Sequence, residues 1–532
     1  MSTPSPARGR SFQAAVAIPA LFLVMALLPG LPTRGIHLHD EGHFLLGANT
    51  VSAGLLGLIS GDSPTVLRDR IHATGGTLYF SAKPGYVGLL AVAGLVTGGL
   101  TAATAQLLAL LSCLVALAAL QVMAARRGNF TAILATGLLF VACPLVLKFS
   151  GSALGVMPAM ACVLAAGACV EVRSRSLPVA LLAGALVLLG VLCHYNVAPL
   201  ALGLGLGLAP CVGPRIRAAA VVGFLGAGLL FQGGTMVADR VLEPVYPDFR
   251  SWAGELTHAF SSAQSRSDPQ AVALEATIPP ERRDGVRGYG RRAWGYLGEM
   301  LLVGMGVPLL LALGLGIPAW RREATDRRGD WWLPLMAAGV PLVVWALYPW
   351  KVDRALVTAV PGLCLLGGLG FERLAEGWSL PRRRLMAGLA AGVMLAGAVV
   401  GGTSRWGLPG PSPYAAAVAR YDGWLGSAPG GSVTARSVHW RLGPVWKWYL
   451  GPERLNRGLR SPGVDFASRE LPWVIVWDAE CDLPDANFAG QMEEFRGAIP
   501  MPGSMFGRAS GGVLMRRPDR PSVLDAPVPT LP

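Results

Sequence analysis

The sequence predicts a mainly α protein: a polytopic transmembrane helical bundle of about 11–13 spans, followed by a small extracytoplasmic α/β domain. Three observations predict it. Hydrophobic residues make up 52% of the 532 and charged residues only 14%, where a soluble domain carries about 25% charged residues. Apolar runs of about 20 residues, the length that crosses a hydrocarbon core, recur as far as residue 403. Beyond that point the chain turns polar and proline-rich, with two β-like runs at 432–438 and 473–477.

The first run, 12–31, follows Arg8 and Arg10 and lacks a small-residue cleavage pattern before Pro29-Gly30-Leu31-Pro32. It therefore reads as a retained helix rather than a signal peptide. Further candidate spans are 85–103, 105–124, 129–148, 152–171, 178–194, 195–211, 216–236, 297–319, 331–349, 354–371 and 386–403. The net charge of +13 is spread over short loops, so it reads as an orientation signal and not as a nucleic-acid footprint. Arg126-Arg127, Arg173 with Arg175, Arg215 with Arg217, the 321–328 loop and Arg382-Arg383-Arg384 fall on the cytoplasmic side by the positive-inside rule. That leaves loops 33–84, 237–296 and 348–354 and the C-terminal domain outside the cytoplasmic (inner) membrane. If 85–103 and 105–124 both cross, Arg126-Arg127 lands outside; a re-entrant or interfacial 85–103, rich in glycine, restores the rule and gives about eleven crossings. The expected division is 1–403 for the membrane module, 404–520 for the outer domain with helices at 412–425 and 485–497, and 521–532 for a disordered tail. Seven of the eight cysteines lie in or beside apolar runs, with no spacing that suggests a disulfide framework or a zinc site. The Ala/Gly/Arg-rich composition fits a bacterial chain.

The chemistry-bearing residues gather on the outer side. Gly35-Ile36-His37-Leu38-His39-Asp40-Glu41-Gly42-His43 follows the first apolar run directly. An ionised group deep in a bilayer costs about 2.5–3.5 kcal/mol, so this segment belongs at a membrane face. Of two adjacent carboxylates, Asp40 and Glu41, one can act as a general base while the other caps a helix or holds a basic partner; both can also simply complement a helix N-terminus. His39 and His43 are spaced i, i+4, which on a helix puts both on one face with Asp40 as an oxygen donor. No fourth ligand stands nearby, so a divalent metal is possible but not favoured. Lys83-Pro84 opens the next run; Lys83 can snorkel or meet a phosphate at the membrane surface, and Tyr86 follows on the same stretch. His194-Tyr195-Asn196 interrupts an apolar run at the outer side and suggests a polar cavity that His43 and Tyr86 share. Lys351 and Arg354 stand above another helix, where Arg354 can also pair with Asp353. Together Lys83, Lys351 and Arg354 make an outward basic rim suited to a lipid phosphate.

In this combination the chain resembles the GT-C glycosyltransferases, and in particular the protein O-mannosyltransferase and lipid A aminoarabinose transferase branch. The elements that carry the resemblance are Asp40-Glu41 in the first outer loop, Lys83-Pro84 opening the next segment, Arg354 ahead of Pro361, and a soluble domain after the last helix. The resemblance implies an integral membrane enzyme that moves a sugar from a polyprenyl-phosphate donor to a protein, lipid or glycan acceptor on the outer face. It implies Asp40 as the catalytic carboxylate, Lys83 as a ligand of the donor phosphate and Arg354 as a second phosphate contact. Two departures stand out: Lys148-Phe149-Ser150 occupies a position where relatives often carry another acidic residue, and Pro84-Gly85 replaces a double proline. The chain has no Walker-type loop and no Gly-x-Gly-x-x-Gly in strand–helix context. Two other classes fit parts of the pattern. A flippase of lipid-linked sugars would place ionisable groups along a mid-membrane path and show repeats. A non-catalytic glycan-assembly protein would use Trp440, Trp446, Trp448 and Tyr449 to stack on sugars.

Overall fold

The computed structural model describes residues 6–36, 39–74, 83–242, 297–323, 329–347 and 353–376, a few single positions up to 392, Ser412, Trp448, Tyr449 and four short strands. The candidate span 386–403, most of the 237–296 loop, the expected helices at 412–425 and 485–497 and the 521–532 tail lie outside these residues. The helices are α1 (Pro6–Leu27), α2 (Leu31–Arg34), α3 (His39–Ser60), α4 (Pro64–Ala73), α5 (Pro84–Thr97), α6 (Ala102–Arg127), α7 (Phe130–Val141), α8 (Pro144–Ser150), α9 (Val156–Val172), α10 (Leu177–Cys193), α11 (Ala198–Leu208) and α12 (Pro214–Leu242). They continue with α13 (Leu297–Met305), α14 (Val307–Arg322), α15 (Gly329–Leu347), α16 (Asp353–Leu356) and α17 (Val360–Ala375).

Local sequence explains the ends. Thr101 caps α6 by accepting the Thr104 N–H at 3.0 Å, and Asn129 caps α7 by accepting the Thr131 N–H at 2.8 Å. Proline opens α5 and α8, where its missing N–H costs nothing. Arg126 and Arg127 close α6 and complement its C-terminal dipole.

Among the described residues, six helical stretches are long and apolar enough to cross a membrane, or eight if the bent pairs α7–α8 (65°) and α13–α14 (89°) each count as one. Four shorter apolar helices of 10–17 residues stand among them. This is a multi-pass membrane architecture. The 85–103 run forms α5, whose 14 residues rise about 21 Å, less than a hydrocarbon core of about 30 Å.

The first outer loop needs correction. Its residues 39–60 form α3, which is itself long and apolar enough to cross. The sequence hid this because Gly, Thr and Ser dilute the run to a hydropathy of 1.3, against 2.5 for α6. α3 lies beside α5: the Phe44 and Tyr86 rings meet edge to face at 5.5 Å, and Ser52 Oγ donates to the Ala91 carbonyl at 3.0 Å.

Within Asp353–Ala375 every residue from 355 to 370 is buried, and the stretch forms the centre of the bundle, against α7, α14 and α15. α10 and α12 touch backbone to backbone: a side chain at Gly184 or Gly223 would overlap the carbonyl oxygens of Ala220 and Leu181. The bundle has two chemically distinct ends. At one, Arg127 pairs with Glu171, Arg373 pairs with Glu323 at 2.9 Å, and Glu372 accepts the Asn129 N–H at 3.0 Å. At the other stand Glu41, Lys83, the Lys148–Asp353 ion pair and His194.

The four strands form one sheet in the order β1 (Thr434–Ser437), β2 (Trp473–Trp477), β4 (Gly512–Arg516), β3 (Ile499–Pro500). β1 pairs with β2 in parallel, with Ala435 opposite Ile475, and β2 with β4 antiparallel, with Ile475 opposite Leu514. The two β-like runs read from sequence are β1 and β2; β4 was not anticipated.

Candidate active site

The site is built on the first turn of α3. Asp40 is the second residue of that helix, and Glu41 follows about 100° further round the axis. Glu41 is completely buried, and its Oε1 accepts the Ala153 N–H at 2.9 Å. This bond ties α3 to the loop between α8 and α9. Glu41 therefore holds structure at the start of α3.

Lys83 ends the return path from α4. It is only 6% exposed, and its Nζ sits 4.5 Å above the Phe44 ring. A cation on an aromatic face is stabilised by the ring quadrupole. Phe44 lies one helical turn beyond Glu41, so α3 sets the Glu41 carboxylate and the Lys83 ammonium in one neighbourhood. Tyr86, the third residue of α5, is buried, and its hydroxyl has no hydrogen-bond partner among the described residues. A Cβ at Gly155 would stand 2.6 Å from the Cys193 carbonyl and 2.9 Å from Tyr86 Cγ. The α8–α9 loop, α5 and the end of α10 therefore converge here.

His194, buried, caps the short turn Tyr195–Val197: its Nδ1 accepts the Asn196 N–H at 3.3 Å. In the neutral ring the proton then sits on Nε2. Asn196 is buried as well, whereas Tyr195 is 57% exposed. That turn packs on α16, the element that carries Asp353 and Arg354. Asp353 uses its carboxylate to join α8 to α16. It pairs with Lys148 Nζ and accepts the Arg354 backbone N–H at 2.8 Å. The basic residue at the position where an acid was expected thus pins α8 to α16.

Two features escaped the sequence. Arg34 is buried, donates to the Leu27 carbonyl at 3.4 Å, and lies between two glycines, where a Cβ on Gly30 or Gly151 would come within 2.6 or 2.5 Å of its guanidinium. Burial lowers its pKa below the usual arginine value. The second is a clamp on residues 35–36, just ahead of Asp40. Gln106 Nε2 donates to the Gly35 carbonyl at 2.7 Å, and the Tyr449 hydroxyl accepts the Ile36 N–H at 2.7 Å and donates to Ser412 Oγ at 3.2 Å. Ser412 in turn donates to the Ile36 carbonyl. Gly35 has φ +64°, and a Cβ there would stand 2.6 Å from Tyr449 Oη, so glycine is required twice over. Burial raises the Tyr449 pKa; the bonds to Ile36 and Ser412 oppose the shift, and the Glu41 charge adds to it. Trp448 and Tyr449 pack against the bundle core, which makes them anchors at the domain–membrane junction.

Three-dimensional comparison places this arrangement. The chain superposes on the apo oligosaccharyltransferase of Archaeoglobus fulgidus with a TM-score of 0.55 and 13% identity, covering 94% of this chain and 74% of that one. It superposes on apo ArnT from Cupriavidus metallidurans with a TM-score of 0.55 and 15% identity, covering 94% and 97%. For ArnT bound to undecaprenyl phosphate the TM-score is 0.52, with the same identity and coverage. The fold is GT-C. No family model and no curated protein matches the chain by sequence.

Within this GT-C fold, Glu41, Lys83 and Tyr86 lie in one neighbourhood, linked through Phe44 and Gly155. His194, Asn196 and Arg354 lie beside it through the Tyr195–Val197 turn. His43 is half-buried on α3, one turn below His39. Lys351 lies outside the described residues, as does the placement of the Asp40 side chain. Among the described residues no three His, Cys, Asp or Glu side chains are grouped to hold a metal.

Proposed function

We propose that this chain is an integral membrane glycosyltransferase that moves a sugar from a polyprenyl-phosphate donor to a protein, lipid or glycan acceptor on the outer face of the membrane. The observation that carries the reading is the first turn of α3. Glu41 is locked to Ala153, which leaves its neighbour Asp40 as the carboxylate for chemistry, while Lys83 is held over Phe44 at the same end of the bundle. The fold supports it: ArnT has been captured with undecaprenyl phosphate, and the Archaeoglobus oligosaccharyltransferase with a dolichol phosphate and an inhibitory peptide.

In this mechanism the polyprenyl tail stays in lipid and its phosphate rests at the Lys83–Arg354 rim. As the bond between sugar and phosphate breaks, these cations neutralise the charge that grows on the leaving phosphate. Asp40 accepts the proton of the acceptor hydroxyl or amine as the new glycosidic bond forms. Tyr86 offers a hydroxyl to the sugar, and His194 and Asn196 form the polar floor. Arg34, held rigidly behind the α8–α9 loop, fixes the backbone that Glu41 grips.

The test is release of radiolabelled sugar from a panel of polyprenyl-phosphate sugars by the purified protein, with and without chelator. Turnover of at least one donor supports the proposal. Donor binding without turnover of any donor, in the presence of candidate acceptors, would favour a flippase.

A further inference from the structure

The end of the bundle opposite the α3 site carries a cavity of its own. It holds about 290 Å³, at the low end of the 300–1,000 Å³ range of ligand pockets. Its walls come from α9, α10, α11 and α12 and include Val163, Gly167, Leu204, Gly205 and Phe224. They are almost wholly apolar, and the one charged residue in the lining is Arg217.

The geometry of α9 separates this cavity from the donor site. α9 starts at Val156, next to the loop that meets Glu41, and ends beside Arg126 and Arg127, where Arg126 donates to the Val172 carbonyl at 3.1 Å. The residues of α9 that line the cavity, Val163 to Val170, run from its middle toward its C-terminal end. The cavity therefore opens in the leaflet that the basic loops assign to the cytoplasm.

Charge decides the occupant. At this end Arg127 is neutralised by Glu171 and Arg373 by Glu323. Arg215 and Arg217, in the first turn of α12, are exposed and make no hydrogen bond or ion pair among the described residues. An apolar slot for a chain, with Arg217 in its wall and Arg215 two residues away on the same helical turn, is complementary to an anionic phospholipid.

We propose that the α9–α12 cavity binds one anionic phospholipid of the inner leaflet, its acyl chain along Gly167, Leu204 and Gly205 and its phosphate at Arg217 and Arg215. The bound lipid fills a void between helices that would otherwise lose packing contacts. The site is independent of the transferase reading and is tested without an activity assay.

The experiment is native mass spectrometry of the purified full chain with phosphatidylglycerol, phosphatidylcholine or undecaprenyl phosphate added. One phosphatidylglycerol should survive per chain, with phosphatidylcholine weaker. Gly205→Leu should abolish retention; a Cβ at Gly205 meets nothing within 4 Å, so the larger side chain enters the cavity without displacing backbone. Arg215→Gln with Arg217→Gln should weaken retention about thirtyfold, and each alone about fivefold. The double arginine variant keeps the test intact if Gly205→Leu misfolds. Equal retention of the two phospholipids, or no loss in either variant, would overturn the proposal. So would displacement of phosphatidylglycerol by undecaprenyl phosphate, which would make the cavity part of the donor tail's path.

Discussion

Tyr449→Phe tests how the C-terminal domain governs the site. The substitution removes one oxygen, the one that accepts the Ile36 N–H at 2.7 Å and donates to Ser412 at 3.2 Å. It leaves the ring in its packing. Ile36 is buried, and an unsatisfied buried N–H costs about 1–3 kcal/mol. At 1.4 kcal/mol per factor of ten, the clamped state loses about 5–150-fold in population. Because Ile36 lies four residues ahead of Asp40, we expect kcat for sugar transfer to fall within that range while the donor KM stays within about twofold. Ser412→Ala should have a smaller effect, since Tyr449 still holds Ile36. The pH dependence has a definite sign. Burial raises the Tyr449 pKa above its ordinary value of 10.0, so the clamp contributes fully below pH 10 and is lost as pH rises through the raised pKa. The alkaline fall in melting temperature above about pH 10 should therefore be shallower in Tyr449→Phe than in wild type. A Tyr449→Phe protein with wild-type kcat and an unchanged alkaline limb would refute the clamp.

Other substitutions separate the roles of individual residues. Glu41→Gln keeps an oxygen for the Ala153 N–H and should retain most activity, whereas Glu41→Ala strands that donor and should lower both melting temperature and kcat, by about 1–3 kcal/mol in stability. Equal loss in the two variants would make Glu41 a catalytic group. Lys83→Met, by removing a charged phosphate contact, should raise the donor KM about 10–150-fold, measured with a radiolabelled donor; an unchanged KM would remove Lys83 from the site. Gly155→Ala should lower transfer by pushing on Tyr86 and Cys193, visible as a drop in kcat with normal membrane insertion.

Much of the fold was legible because membrane spans need only length and apolarity, and α6, α12 and α15 supply both. That Glu41 and Lys83 stand together at one end of the bundle was legible for a related reason: charge beside an apolar run has few places to go. α3 was not, since its diluted apolar run reads as a loop. The Lys148–Asp353 pair joins residues 205 apart and the Ile36–Tyr449 bond residues 413 apart, and no local pattern announces partners at such separation. Arg34 carries no local sequence signal; the close approach of Gly30 and Gly151 to its guanidinium goes with its burial. Lys148 read as a departure from a family pattern, and the structure gives it a partner of its own.

The most direct measurement of the central claim is donor binding set against sugar transfer in Asp40→Asn. Loss of a general base slows the chemical step by about 10²–10⁴-fold and leaves the phosphate contacts of Lys83 and Arg354 in place. The expected result is donor affinity close to wild type with transfer reduced by that factor. Transfer at the wild-type rate would contradict the assignment of Asp40 and, with it, the catalytic reading of the α3 turn.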